Sequence, residues 1–269
     1  MFRHQGPSRS DKHNIALAAY LAGIGGFVNS AGFVLFGTFT SHVTGNVGRL
    51  THELVLRRLP SASGAIAMVL AFFLGAFMAG MILESRVSSR LPNAYGVALS
   101  CEAALLALAA WRASGTGPWS TAARDMHALW LCIAMGVQNS LVTRISGAVV
   151  RTTHLTGVIT DLGIETARWL AWWRGRLLAP YASDAEARER RERREKPLAS
   201  KIRLHLTIIA MFTVGGMLGV LAALRWSEGA LLIAGVAVAL GAYSAFSAAR
   251  QPPTKSERPD ASVERPQQR

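Results

Sequence analysis

Two histidines sit in matching strings, Ser41-His42-Val43-Thr44-Gly45 and Thr153-His154-Leu155-Thr156-Gly157. Each string places hydroxyls, an imidazole and a glycine within five residues. That set can cap a helix, turn the backbone tightly and supply a proton-linked charge. A helix that starts here offers free N–H groups and a partial positive charge, which suit an anion or a polar solute. The agreement extends to both flanks. Gly26-Phe27-Val28-Asn29-Ser30 answers to Gly136-Val137-Gln138-Asn139-Ser140, 110 residues later, and Glu53 and Glu165 each follow their histidine by 11 residues. Matched strings with matched flanks are an internal repeat.

The candidate solute-binding residues are therefore Ser41, His42, Thr44, Gly45, Thr153, His154, Thr156 and Gly157, with Asn29 and Asn139 as further polar groups along a pathway. The plainer reading has Thr44 and Thr156 capping helices and the histidines bonding backbone carbonyls. On that reading the asparagines only join one membrane helix to another. Arg49, Glu53 and Arg57 share one helical face, where Glu53 can pair with both arginines at i,i+4 spacing. Arg49 and Asp161 occupy equivalent repeat positions with opposite charge, and Asp161, Glu165 and Arg168 share a face in the second copy. Glu102 is an acid inside an apolar run, a functional candidate by default.

Other chemistries are excluded by spacing. His42, His52, His127 and His154 have no metal-ligand arrangement of the His-Glu-x-x-His kind, so no metal site is expected. No phosphate-binding loop, dinucleotide fingerprint or serine-hydrolase elbow occurs, so neither a cofactor nor an enzymatic activity is expected. Cys101 and Cys132 both fall in apolar runs and support no disulfide framework.

The elements that position these residues follow from composition. Of 269 residues, 51% are hydrophobic and 17% charged, and mean hydropathy is +0.26. A typical charged share is roughly 25%. Uncharged runs of about 20 residues recur, each long enough for a hydrocarbon core of roughly 30 Å. The chain reads as an integral membrane protein, and no cleavable signal peptide is expected, because the first residues are polar and basic and the first apolar run is too long for an h-region. The net charge of +13 lies in segments outside the apolar runs. It points to topology and anionic lipid headgroups rather than to nucleic acid.

In order, residues 1–13 read as a disordered tail. The membrane domain covers 14–249, with repeat one at 14–111 and repeat two at 126–249, and 250–269 is a second disordered tail. Spans are expected at Asn14–Phe36, Gly64–Leu83, Ala94–Trp111, Met126 to about Val142, Leu204–Leu224 and Gly229–Ala249. Two amphipathic stretches, Val43–Leu59 and Leu155–Trp173, are interposed. Residues 174–203 form a basic insertion whose charged run reads as a solvated helix ending before Pro197, a partner for anionic headgroups.

Burying the charges of the amphipathic stretches at mid-bilayer would cost roughly 2.5–3.5 kcal/mol each, against roughly 0.3–0.6 kcal/mol returned per large apolar residue. The expected fold is thus an all-α polytopic bundle of six spans in two inverted repeats of three. Each repeat carries an extra amphipathic or re-entrant helix after its motif. Six spans put both termini and 174–203 in the cytoplasm by positive-inside counting; eight spans do so too, and would make the repeats parallel.

Phe39-Thr40-Ser41-His42-Val43-Thr44-Gly45-Asn46, following a glycine-rich span, resembles the YoaK-like family of bacterial inner-membrane proteins of unknown function. Thr156-Gly157-Val158-Ile159-Thr160-Asp161-Leu162-Gly163 resembles that family's second-half motif. The likeness covers about residues 14–249. It implies a multi-pass inner-membrane protein and supplies no substrate. It also implies that aspartate often stands at the position of Asn29. The expected function is a transporter or channel-like protein for a small polar or anionic solute. The alternative is a membrane-embedded scaffold whose motifs are structural, and an intramembrane enzyme lacks a visible nucleophile.

Overall fold

A computed structural model describes residues 10–84, 93–114, 120–177 and 185–250, with the side chains of 175–198 left aside. The glycine-rich loop at 115–119, the connection holding Arg86, Arg90 and Pro92, and most of both tails lie outside the described residues. The described chain is helical: α1 (Asp11–Phe36), α2 (Val43–Val55), α3 (Leu59–Glu84), α4 (Ala94–Ala113), α5 (Thr121–Ser146), α6 (Leu155–Leu177), α7 (Ala185–Trp226) and α8 (Gly229–Arg250).

Six helices are long and apolar enough to cross a membrane: α1, α3, α4, α5, the Ala199–Trp226 part of α7, and α8. Their outward faces are apolar. Leu70, Phe73, Phe77 and Met81 of α3 and Leu218, Leu221 and Leu224 of α7 are exposed, as lipid-facing residues must be. Trp111 and Trp226 stand exposed near helix ends, where the amphipathic indole suits the headgroup level.

Helix directions can be read from which residues meet. α3 and α5 run parallel: Gly64 lies against Asp125, Gly75 against Ile133, and Glu84 pairs with Arg144 at the far ends. α1 and α7 also run parallel. Asp11, Asn14 and Ile15 share a recess with Ser200, Lys201 and Leu204, while Phe27 meets Gly219. α1 and α5 are antiparallel, since Gly32 touches Leu131 and Gly25 touches Gln138. α4 and α8 are antiparallel, with Gly96 against Phe246 and Gly235 against Ala103 and Leu106.

These directions decide the number of crossings. α1 is antiparallel to α5 and α5 is parallel to α3, so α1 and α3 run in opposite senses with α2 between them. The same holds for α5 and α7 around α6. Neither amphipathic helix therefore completes a crossing, which leaves six spans. At 1.5 Å per residue the 13 residues of α2 measure about 20 Å, short of the hydrocarbon core.

The two parallel crossings are close because glycine backbones meet backbone. A Cβ on Gly26 or Gly215 of the α1–α7 pair would collide with the carbonyls of Phe212 and Gly23. A Cβ on Gly75 or Gly136 of the α3–α5 pair would collide with those of Ile133 and Phe72. Small residues allow this approach where no hydrophobic driving force separates helix from lipid.

Several boundaries differ from expectation. α1 begins at Asp11, α3 at Leu59 and α5 at Thr121, each several residues early, because polar residues extend a helix beyond its apolar part. The charged run does not end before Pro197: α7 continues from Ala185 to Trp226 through it. One proline removes one N–H donor, and the Arg, Glu, Lys and Ala residues around it are strong helix formers.

The charge pairs also differ. Arg49 does not pair with Glu53. Its Nη1 and Nη2 donate to Asp125 Oδ1 and Oδ2 at 3.1 and 2.8 Å, a bidentate bond from α2 to the first turns of α5. Glu53 has Oε1 3.5 Å from His52 Nδ1, and its buried Oε2 has no hydrogen-bond partner. Asp161 is exposed and does not meet Arg49, and Arg168 is exposed as well. Glu165 is buried, with His205 Nδ1 3.2 Å from its Oε2, close but without hydrogen-bond geometry, and Lys201 Nζ 3.9 Å from its Oε1, both on α7. The i,i+4 rule failed for Glu53 because a partly buried carboxylate on another helix offers Arg49 a better-desolvated, two-point partner. Arg49→Ala is expected to lower stability by about 2 kcal/mol, since Asp125 is left partly buried without its donors. The measurement is the thermal midpoint in detergent, and the reversed pair Arg49→Asp/Asp125→Arg should recover at least half of the loss.

Candidate functional site

Both motifs begin where a span ends in a left-handed glycine. Gly37 (φ +76°) closes α1 with its N–H on Phe33 O, and Gly147 (φ +61°) closes α5 with its N–H on Arg144 O. This C-cap needs a residue without a Cβ penalty and reverses the chain. The chain then folds back along the helix it has just left. Ser41 N and Oγ both donate to Asn29 Oδ1, at 3.1 and 2.9 Å, and Asn29 lies two turns inside α1. Thr153 Oγ1 donates to Asn139 Oδ1 at 2.6 Å, and Asn139 lies two turns inside α5. Asn139 Nδ2 donates in turn to Met135 O at 2.8 Å.

The next residue starts a helix. His42 is the N-cap of α2 and makes no side-chain capping bond, and its carbonyl accepts from Asn46 N at 3.1 Å. His154 O accepts from Val158 N at the same 3.1 Å. Thr44 and Thr156 therefore lie within the first helical turn and do not cap it, contrary to the plainer sequence reading. The motif hydroxyls Ser41 and Thr153 are turned to the asparagines instead. Each imidazole folds over its own helix start, so that a Cβ on Gly45 or Gly157 would collide with Nδ1 of His42 or His154. That contact gives both motif glycines a physical reason. Phe39 adds a wall: its ring stacks on Phe33 at 4.4 Å and meets His42 edge-on at 6.4 Å.

The two motifs line one pocket of about 520 Å³. Its lining takes Asn29, Ser41, His42 and Thr44 from the first copy, and Asn139, Thr153, His154 and Thr156 from the second, with aromatic walls from Phe39, Phe72 and Phe212. No Lys, Arg, Asp or Glu is among the lining residues. Gly45 and Gly157 stand behind the imidazoles and outside the lining. Arg49 and Glu53, and Asp161 and Glu165, also lie outside it; Arg49 and Glu165 fasten α2 and α6 to neighbouring helices.

Phe72 and Phe212 were not singled out from the sequence. They open matched Phe-x-x-Gly strings, Phe72–Gly75 and Phe212–Gly215, whose glycines make the two close crossings. Comparing the third element of each half would have found them. Asp125, Gln138 and His205 carry no repeated signal; Gln138 is fully buried and donates to Leu21 O at 2.6 Å. Among the described residues no group of three or more His, Cys, Asp or Glu side chains could hold a metal ion.

A family model described as a protein of unknown function matches residues 17–244, which reach into all six spans and include both motifs. No curated protein and no solved structure matches the chain. The membrane-spanning helical chain belongs to the DUF1275 family of proteins of unknown function.

Proposed function

We propose that this chain is a transporter or channel-like protein for a small polar or anionic solute, with the pocket between the two motifs as its solute site. The observation that carries the reading is the convergence of both motif copies on one pocket of about 520 Å³. The fold behind it is read as two inverted repeats, each of three spans and one re-entrant half-helix. Three observations support that reading: the antiparallel α1 and α5, the exchanged pairings of α1 with α7 and α3 with α5, and glycines at matched places in both crossings.

Each half-helix starts at the pocket and runs outward to a fastening near the start of a span, Arg49 on Asp125 for α2 and Glu165 on His205 for α6. Two helix N-termini then aim their partial positive charge at one place, which favours anions and neutral dipoles and opposes cations. The imidazoles and hydroxyls add hydrogen bonds, and the phenylalanine walls keep the rest of the passage apolar. Inverted repeats with discontinuous helices at a shared site are a recurring transporter design. The lining carries no acid and no lysine, and its Ser41 and Thr153 hydroxyls donate to asparagines rather than to the imidazoles, which favours passage over catalysis. In the same reading the protein sits in the bacterial inner membrane as a multi-pass protein, with both termini and the basic 174–203 segment cytoplasmic and near anionic headgroups. The YoaK-like resemblance belongs with this placement.

The test is stopped-flow swelling of proteoliposomes in formate, acetate, chloride, urea and glycerol. At least one of these solutes is expected to enter faster than in empty liposomes. His42→Ala and Thr156→Ala are expected to slow that entry at least tenfold without lowering protein content. Wild-type swelling in both variants would make the motifs structural and return the scaffold reading.

A further inference from the structure

Glu102 lies outside the solute pocket and takes no part in the reading above. It is the ninth residue of the 20-residue α4, close to the middle of that span. Its side chain has no solvent exposure, and neither carboxyl oxygen has a hydrogen-bond partner. Leu99 and Leu106, one turn to either side, are also fully buried. The fold does not require an acid here, because α8, the third span of the other half, carries no acidic residue at all.

Among the described residues, the Tyr20 hydroxyl of α1 lies within electrostatic reach of this carboxyl. That hydroxyl donates to Ala237 O of α8, and Gly241 leaves the room it needs, since a Cβ there would lie 2.6 Å from it. Other charged or titratable groups on the helices packed against α4 are engaged or distant along their helices. On α5, Asp125 is held by Arg49 and Cys132 is buried among apolar residues. His127 of α5 stacks on Phe36. On α8, Tyr243 is exposed and Arg250 ends the helix, and on α3 Glu84 pairs with Arg144. On α4 itself, Cys101 adjoins Glu102 and is half-buried, Tyr95 lies in the first turn and Arg112 in the last, while Arg124 of α5 is exposed.

An ionised carboxylate here would have lost its water with nothing in exchange, so the neutral acid is the form this packing holds. A sodium or calcium ion would need a shell of several oxygens. The Tyr20 hydroxyl is already turned to the Ala237 carbonyl, and that of Ser100 to the Gly96 carbonyl.

We infer that Glu102 is a proton-binding site, occupied in this conformation, at the junction of α1 and α4 of the first half with α8 of the second. Loading and release balance simply. The carboxyl binds one proton from the aqueous phase and returns it there when the helices part, with no other bond made or broken. The site is placed to act on the pocket. Tyr20 and Asn29 stand nine residues apart on α1, so a shift of α1 against α4 and α8 moves the residue that anchors the first motif. This last link rests on the transport reading; the proton site itself does not.

The experiment uses the full chain in liposomes adsorbed on a solid-supported electrode, with no solute, and the proton as probe. A step in external pH is expected to give a transient charge displacement in the wild type. Glu102→Gln should reduce it at least tenfold, while Glu102→Asp keeps it at a shifted midpoint. A step in sodium at constant pH should give none. The His42→Ala/His154→Ala variant should keep the pH-driven displacement even where swelling is lost, which separates failure of this site from failure of the solute pocket. Infrared difference spectra over the same pH step give a second reading, a protonated-carboxyl band that Glu102→Gln removes. Undiminished displacement in Glu102→Gln, no displacement in the wild type, or a sodium response in place of the proton response would each overturn the inference.

Discussion

Gly26→Leu is expected to abolish the folded protein. The Cβ of any residue at this position would run into the Phe212 carbonyl, and the colliding group is backbone, which cannot step aside as a side chain can. Overpacking a core ordinarily costs about 1–3 kcal/mol. Forcing two helices apart along their closest crossing should exceed about 3 kcal/mol, enough to remove most of a marginal stability. Fluorescence-detected size exclusion of a tagged protein should show loss of the monodisperse peak. Gly136→Leu should do the same through the Phe72 carbonyl. Gly163→Ala is the control: nothing lies within 4 Å of that position, and alanine is the better helix former. A monodisperse Gly26→Leu protein would mean that α1 and α7 do not cross as described.

The second large effect separates the two asparagines, which look equivalent in sequence. Asn29 receives two hydrogen bonds on Oδ1, from Ser41 N and Oγ. An aspartate can accept both, so Asn29→Asp should keep swelling rates within about twofold, in line with the loss of no net hydrogen bond. Asn139 is different, because it accepts from Thr153 and also donates to Met135 O. Asn139→Asp sets a carboxylate oxygen against that carbonyl and should slow entry of the responsive solute at least tenfold. Replacing either residue with alanine removes an anchor worth about 1 kcal/mol per bond, frees its motif loop and should slow entry similarly. Equal behaviour of Asn29→Asp and Asn139→Asp would show that the clamp geometry does not matter.

Much of this was legible before any coordinates. Uncharged runs marked the spans because a hydrocarbon core leaves little choice. The paired strings drew attention to Ser41, His42, Thr44, Thr153, His154 and Thr156, which line the pocket, and to Gly45 and Gly157, which do not. What stayed hidden was relational. Span parity could not be read, since six and eight spans satisfied the same positive-inside count; the neighbours of Gly64, Gly32 and Gly219 decided it through helix direction. The partner of Arg49 is 76 residues away on α5, beyond the reach of i,i+4 reasoning. Thr44 was weighed as a cap because threonine is a good one. The position went to His42, since Ser41 is drawn back to Asn29 and the helix begins a residue later. Phe72 and Phe212 drew no notice because phenylalanine in an apolar run is unremarked until its counterpart 140 residues on is set beside it.

The central claim is that the two motifs share one pocket, and paired thiol labelling tests it most directly. Thr44 and Thr156 are both exposed to that pocket's lining, one from each copy. In a chain with Cys101 and Cys132 replaced by alanine, Thr44→Cys and Thr156→Cys would be labelled with a bulky, water-soluble maleimide, singly and together. A space of about 520 Å³ admits one such group. Each single variant should take up one label, and in the double variant the first label should block the second, giving one label per chain. Two labels per chain would place the motifs on separate surfaces and contradict the account.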